Sequence, residues 1–151
     1  MIYILIINTL LVAATVMLHY EFLHRIMCFL PRMRIRHSYR IVFGVFGALL
    51  AHICEIWIFA IAYYVMHKLE GWGTLIGNFE GSLMDCAYFS FTVYSTVGFG
   101  DIEPLGALRY LTGIESLTGL VLITWTASFL YFEMQRHWHT TDGLGNDFRD
   151  E

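Results

Sequence analysis

Tyr88-Phe89-Ser90-Phe91-Thr92-Val93-Tyr94-Ser95-Thr96-Val97-Gly98-Phe99-Gly100-Asp101 decides how the rest of the chain is read. From Ser82 to Tyr94 the chain is apolar and aromatic, yet at about 13 residues it falls short of the ~20 that a helix needs to cross the hydrocarbon core. The glycine-rich run that follows suits no helix. A short apolar helix with such a return predicts a re-entrant segment. Irregular backbone survives at membrane depth only when buried in protein or lining a watery path, so this stretch by itself calls for a pore or cavity.

The remaining sequence supplies the membrane. Of 151 residues 57% are hydrophobic and 15% charged, against roughly a quarter charged in a soluble domain. Three apolar stretches are long enough to span: about Ile2 to Tyr20, which has no charged side chain, Ile41 to Met66, and Ala107 to Met134. The first lacks a basic leader and a small-residue cleavage pattern, so it reads as a retained helix and not as a signal peptide. The predicted order is an N-terminal helix (1–24), a basic linker (25–40) and a pore domain over 41–136. That domain divides into an outer helix (41–66), pore helix (82–94), filter (95–101) and inner helix (107–134), with a tail over 137–151. Thr140 to Glu151, polar with two glycines, reads as a loose end.

Basic residues orient the chain. Arg25, Arg32, Arg34, Arg36 and Arg40 lie between the first two spans and Arg136 follows the third. The positive-inside rule puts that linker and the C-terminus in the cytoplasm, and the N-terminus and the short helix outside. Arg32, Arg34 and Arg36 also suit anionic lipid headgroups. A net charge of -4 offers no footprint for nucleic acid. Cys28, Cys54 and Cys86 have no zinc spacing and cannot all pair internally. His137-Trp138-His139 places its histidines two apart, off a common helix face, so an interfacial Trp explains it better than a metal site.

A cation that sheds its water must be offered other oxygens. Backbone carbonyls are strong dipoles without net charge, and aiming several at one axis needs alternating backbone, some of it at positive φ. Gly98 and Gly100 supply that without steric penalty, with Val97 and Phe99 between them, and Thr96 adds a hydroxyl at the inner end. Several such loops around one axis make a potassium filter.

The segment Tyr88 to Asp101 resembles the pore helix and signature of the potassium channel pore family. The likeness runs through Pro104 and Arg109 to Gly119, at the family's inner-helix hinge position, and covers residues 41–134. It is also similar to small bacterial ion-channel proteins with H-x-x-E in the outer helix and E-x-x-x-G in the inner one. The resemblance implies an all-α membrane protein of three transmembrane helices with a re-entrant pore helix and filter loop, closed as a homotetramer in a bacterial inner membrane. It implies K+ held at Thr96, Val97, Gly98 and Phe99, with Gly100 completing the filter and Asp101 at the outer mouth. It implies no cofactor beyond the permeant ion, and no catalysis. Tyr88, Phe89, Thr92 and Ser95 take the filter-supporting positions. Phe99 replaces the commoner tyrosine and Thr92 stands where some members carry a glutamate, so the usual bracing of the filter and of Asp101 is missing.

His52, Glu55 and Glu115 lie inside spans, where each charge costs about 2.5–3.5 kcal/mol on insertion scales and calls for a partner or a task. By helical rise Glu55 is about 16 Å below Met66 and Glu115 about 12 Å below Ala107, similar levels beside the filter. His52 and Glu55 are three apart and share a face. Leu120, Ile123 and Ala127 share the face that would line the cavity, and Glu115 points about 140° away from Leu120. Two roles are open for Glu115: a pH-sensitive buttress behind the filter, with His52 or Glu55, or a fixed packing cluster with an uncharged carboxyl. A weakly selective cation channel and a non-conducting scaffold are the competing functions. The scaffold fares poorly, because His52 is the single histidine read as lying deep in a span. The first helix is expected to shield the outer helix from lipid.

Overall fold

The computed structural model describes residues 2–29 and 37–145, with side chains over 2–29 and 39–135. Four helices carry almost everything: α1 (Ile2–Phe29), α2 (His37–Lys68), α3 (Leu83–Tyr94) and α4 (Leu108–Gly145). Within α1, α2 and α4 lie three spans long and apolar enough to cross a membrane, Ile2–Phe29, Tyr39–Lys68 and Leu108–Gln135. The chain is mostly helical, as the composition and the long apolar runs require.

Three helix ends extend beyond the expected limits. α1 reaches Phe29 instead of 24. α2 starts at His37 instead of 41. α4 begins at Leu108 and continues to Gly145, well into the stretch read as a loose end. Arg32, Arg34, Arg36, the side chains of His137-Trp138-His139 and residues 146–151 lie outside the described residues.

α3 matches the expected short helix, and its start is locally encoded. Ser82 Oγ accepts from Asp85 N (3.1 Å), while the Asp85 carboxylate accepts from Ser82 N (3.1 Å) and Glu80 N (3.0 Å). This reciprocal box satisfies amides that a helix start leaves orphaned. Slight desolvation pushes the Asp85 carboxyl up, but these hydrogen bonds outweigh it and hold it below the usual carboxylate range.

A two-stranded antiparallel pair, β1 (Leu75–Gly77) with β2 (Ile102–Pro104), joins the segment before α3 to the segment after the glycine run. Nothing in the spacing foretold it. With Asn78 N donating to Asp101 O (2.8 Å) and Leu105 N to Thr74 O (2.8 Å), it closes the loop's two ends onto each other. The core lies where α2, α3 and α4 meet, around Phe59, Tyr63, Phe89, Tyr94, Leu108 and Leu111. α1 packs on both α2 and α4. It does more than shield α2: it sends Asn8, Thr15 and His19 into the interior as a polar stripe.

Candidate functional site

The loop after α3 takes its shape from alternation. Thr96, Gly98 and Gly100 have φ of 60°, 53° and 78°, and Val97 and Phe99 between them keep ordinary negative φ. Alternating handedness sends successive N–H groups to one side and their carbonyls to the other. Here the N–H side faces α3: Thr96 N donates to Val93 O (2.9 Å) and Gly98 N to Thr92 O (3.0 Å). Ser95 through Gly100 are exposed in the single chain. Thr96 is the one described non-glycine residue at positive φ, a conformation that costs about 1–3 kcal/mol and collects at functional sites.

The supporting residues divide. Phe89 is buried, edge-on to Tyr63 at 5.0 Å. Tyr88 is not buried with it. It is turned outward, lying parallel to the Phe99 ring at 6.5 Å and donating its hydroxyl to the Asp101 carboxylate (2.9 Å). That hydrogen bond, with some desolvation and the carboxylate's charge, pushes the Tyr88 phenol above its ordinary value. One side chain therefore touches both Phe99 and Asp101. Thr92 contributes its backbone carbonyl to Gly98, while its hydroxyl turns back to Phe89 O (2.8 Å). Ser95 caps the helix, its Oγ donating to Phe91 O (2.6 Å).

Behind α3 lie two buried carboxyl sites. Glu115, fully buried, meets Tyr63 OH (2.6 Å) and Ser90 Oγ, and Ser90 also meets Ile56 O (2.9 Å). Glu55, also fully buried, meets Tyr94 OH, His52 Nδ1 (3.0 Å) and His19 Nδ1 (2.7 Å). No hydrogen bond joins Glu115 to His52 or Glu55 among the described residues, so the expected trio separates into two sites. His19 was missed entirely, and the reading of His52 as the single deep histidine is corrected. The signal was present: Asn8, Thr15 and His19 recur at spacings of seven and four, one face of a helix. A count of formal charges passes over all of them.

Gly119 is a point of contact. A methyl group there would collide with the Tyr94 carbonyl and ring, so the glycine allows α4 to meet the end of α3, and α4 runs unbroken through it. Leu120, Ile123 and Ala127 lie on the exposed face of α4, and Glu115 points inward, as the wheel predicts. The three cysteines are free.

Three apolar spanning helices and a short helix ending in a constrained glycine loop define a helical membrane protein whose irregular backbone is held for a purpose. A family model described as "Ion channel" matches residues 51–136, more than half the chain. The chain belongs to that ion channel family, of the two-helix, potassium-channel-pore type. Comparison with curated proteins and with solved structures gives no match.

Proposed function

We propose that this chain is one subunit of a homotetrameric potassium channel, with Thr96-Val97-Gly98-Phe99-Gly100 as its selectivity filter. The observation that carries this reading is the alternation at Thr96, Gly98 and Gly100, with N–H groups anchored on α3. One loop has carbonyls on one side only. Four loops around an axis enclose a dehydrated K+ and replace its hydration shell, while uncharged carbonyls keep each site weak enough for the ion to leave.

In this reading α1, α2 and α4 cross the cell membrane and α3 enters and returns on the outer side. The N-terminus is outside and the C-terminus cytoplasmic. Asp101, tied to Tyr88, stands at the outer mouth, and the exposed face with Leu120, Ile123 and Ala127 lines the inner cavity. Glu115 acts through Ser90, holding α3 against α2 and α4. Arg32, Arg34 and Arg36 meet anionic headgroups.

K+ efflux from proteoliposomes tests the reading. Purified chain is expected to give efflux that barium blocks and that sodium does not replace. Sodium efflux as fast as potassium efflux, or none of either, would contradict it.

A further inference from the structure

His19, Glu55, His52, Tyr94 and Thr126 form one hydrogen-bonded cluster drawn from all four helices. Both imidazoles point Nδ1 at Glu55, and both point Nε2 at the single hydroxyl of Thr126, at 3.3 Å from His19 and 3.1 Å from His52. Tyr94 OH reaches Glu55 Oε2 and also His52 Nδ1 (3.0 Å). The group is buried, with His19 and Glu55 fully enclosed and the His52 side chain 13% exposed.

Hydrogens are one short in this arrangement if both histidines are neutral. Thr126 has one hydroxyl hydrogen for two nitrogens. Tyr94 has one for Glu55 Oε2 and His52 Nδ1, and those two acceptors would also face each other. An added hydrogen on His52 gives every contact a donor, with His52 Nδ1–H shared between Glu55 and the Tyr94 oxygen. His19 Nδ1–H and His52 Nδ1–H then donate to Glu55, Tyr94 O–H donates to Glu55, His52 Nε2–H donates to Thr126, and Thr126 donates to His19 Nε2. Three donors around one carboxylate are the surroundings of an ionised one, and a cationic His52 beside an anionic Glu55 leaves the cluster neutral, as a low-dielectric interior demands.

We propose that this cluster is a proton-binding site that holds one proton on His52, paired with Glu55, and transmits its presence to the filter through Tyr94. Tyr94 lies two residues before Thr96, and its carbonyl packs on Gly119. Loss of the proton leaves the Tyr94 hydroxyl two acceptors for one hydrogen and loosens the base of the loop.

A divalent metal is the rival occupant, since the ligand atoms of His19, His52 and Glu55 lie within 4.8 Å of one another. Two observations favour the proton. The way in is a cavity of about 450 Å3 reaching His52 between apolar side chains such as Ile53, Phe91 and Ile123, where a hydrated divalent ion would have to shed its water. Its double charge would also exceed the one carboxylate present. The groups facing the cluster are His19 from α1, His52 and Glu55 from α2, Tyr94 from α3, and from α4 the Thr126 hydroxyl and the Trp125 ring, 5.3 Å from His19. Glu115 is held by Ser90 and Tyr63.

Coupling to flux rests on the channel reading; the proton site does not, so the test reads each separately. Nitrogen NMR of histidine-labelled full chain in bilayers, assigned with His19→Gln and His52→Gln, is expected to show His52 protonated at both nitrogens and His19 at Nδ1 alone. His52 should lose its proton in one step, which Thr126→Val moves about one pH unit lower. A His52 neutral across about pH 5–8, two cationic histidines, a step unmoved by Thr126→Val, or Zn2+ capturing both Nδ1 atoms would each overturn the site. Potassium flux is expected to fall about fivefold or more through the same step, the low end of ordinary coupling. Flux constant through that step would overturn the link through Tyr94.

Discussion

Glu115 and Glu55 are both fully buried, both behind α3 and both held by a tyrosine hydroxyl, yet they solve burial differently. At Glu115 the Tyr63 and Ser90 hydroxyls both face the carboxyl and Ser90 also reaches Ile56 O, with no ionic partner among the described residues. Glu55 faces two imidazoles and takes a cationic partner, so it is an ion pair within a net-neutral cluster. The difference separates a carboxyl that packs from one that titrates with its neighbours. In this account Glu115 fixes α3 through Ser90, and sensitivity to protons lies one turn further along the helix at Tyr94, in a cluster that includes one residue from the extra helix α1.

Breaking the Glu55 site should be the more costly change. Glu55→Gln leaves an imidazolium buried without its counter-charge, and we expect a loss of about 3–5 kcal/mol, read as a fall in thermal midpoint in detergent. Gly119→Ala, which forces a methyl group onto the Tyr94 carbonyl, should cost about 1–3 kcal/mol as overpacking does and should disturb flux as well. Glu115→Gln keeps an acceptor for Tyr63 and a donor for Ser90, so a loss of about 1 kcal/mol or less is expected, with the pH profile of flux unaltered. A pH profile flattened by Glu115→Gln and preserved in Thr126→Val would reverse the assignment of the two sites.

Smaller effects belong to exposed groups. Tyr88→Phe removes the hydrogen bond to Asp101 and should weaken flux at low external potassium by a few-fold. Because the folded Tyr88 phenol lies above its ordinary value, this contact is fully present below about pH 10 and is lost as pH rises through the higher folded value. Asp85 runs the other way: its folded carboxyl is depressed, so its contribution is present above about pH 4 and lost as pH falls through the lower folded value. Ser82→Ala should cost about 1 kcal/mol of helix capping, read by thermal unfolding.

The loop and its helix were legible because their signals are local: a length too short to span and glycines at alternate positions. The wheel likewise placed Glu115 inward and Leu120 outward. What escaped depends on contacts distant in sequence. His19 and Glu55 are 36 residues apart and His19 and Thr126 are 107, and an apolar helix such as α1 shows polar purpose only when a second helix lies against it. The β1–β2 pair is three residues a side, too short for alternation to register. Tyr88 was placed among the supporting positions, but its contacts with Phe99 and Asp101 escaped because sequence does not say which side of α3 meets Phe99.

The most direct test is the bi-ionic reversal potential in planar bilayers, with potassium on one side of the purified chain and sodium on the other. The account predicts a reversal displaced far toward the potassium equilibrium potential, with barium abolishing the current. A reversal near zero, with sodium carrying current as readily as potassium, would contradict a carbonyl filter at Thr96 to Gly100.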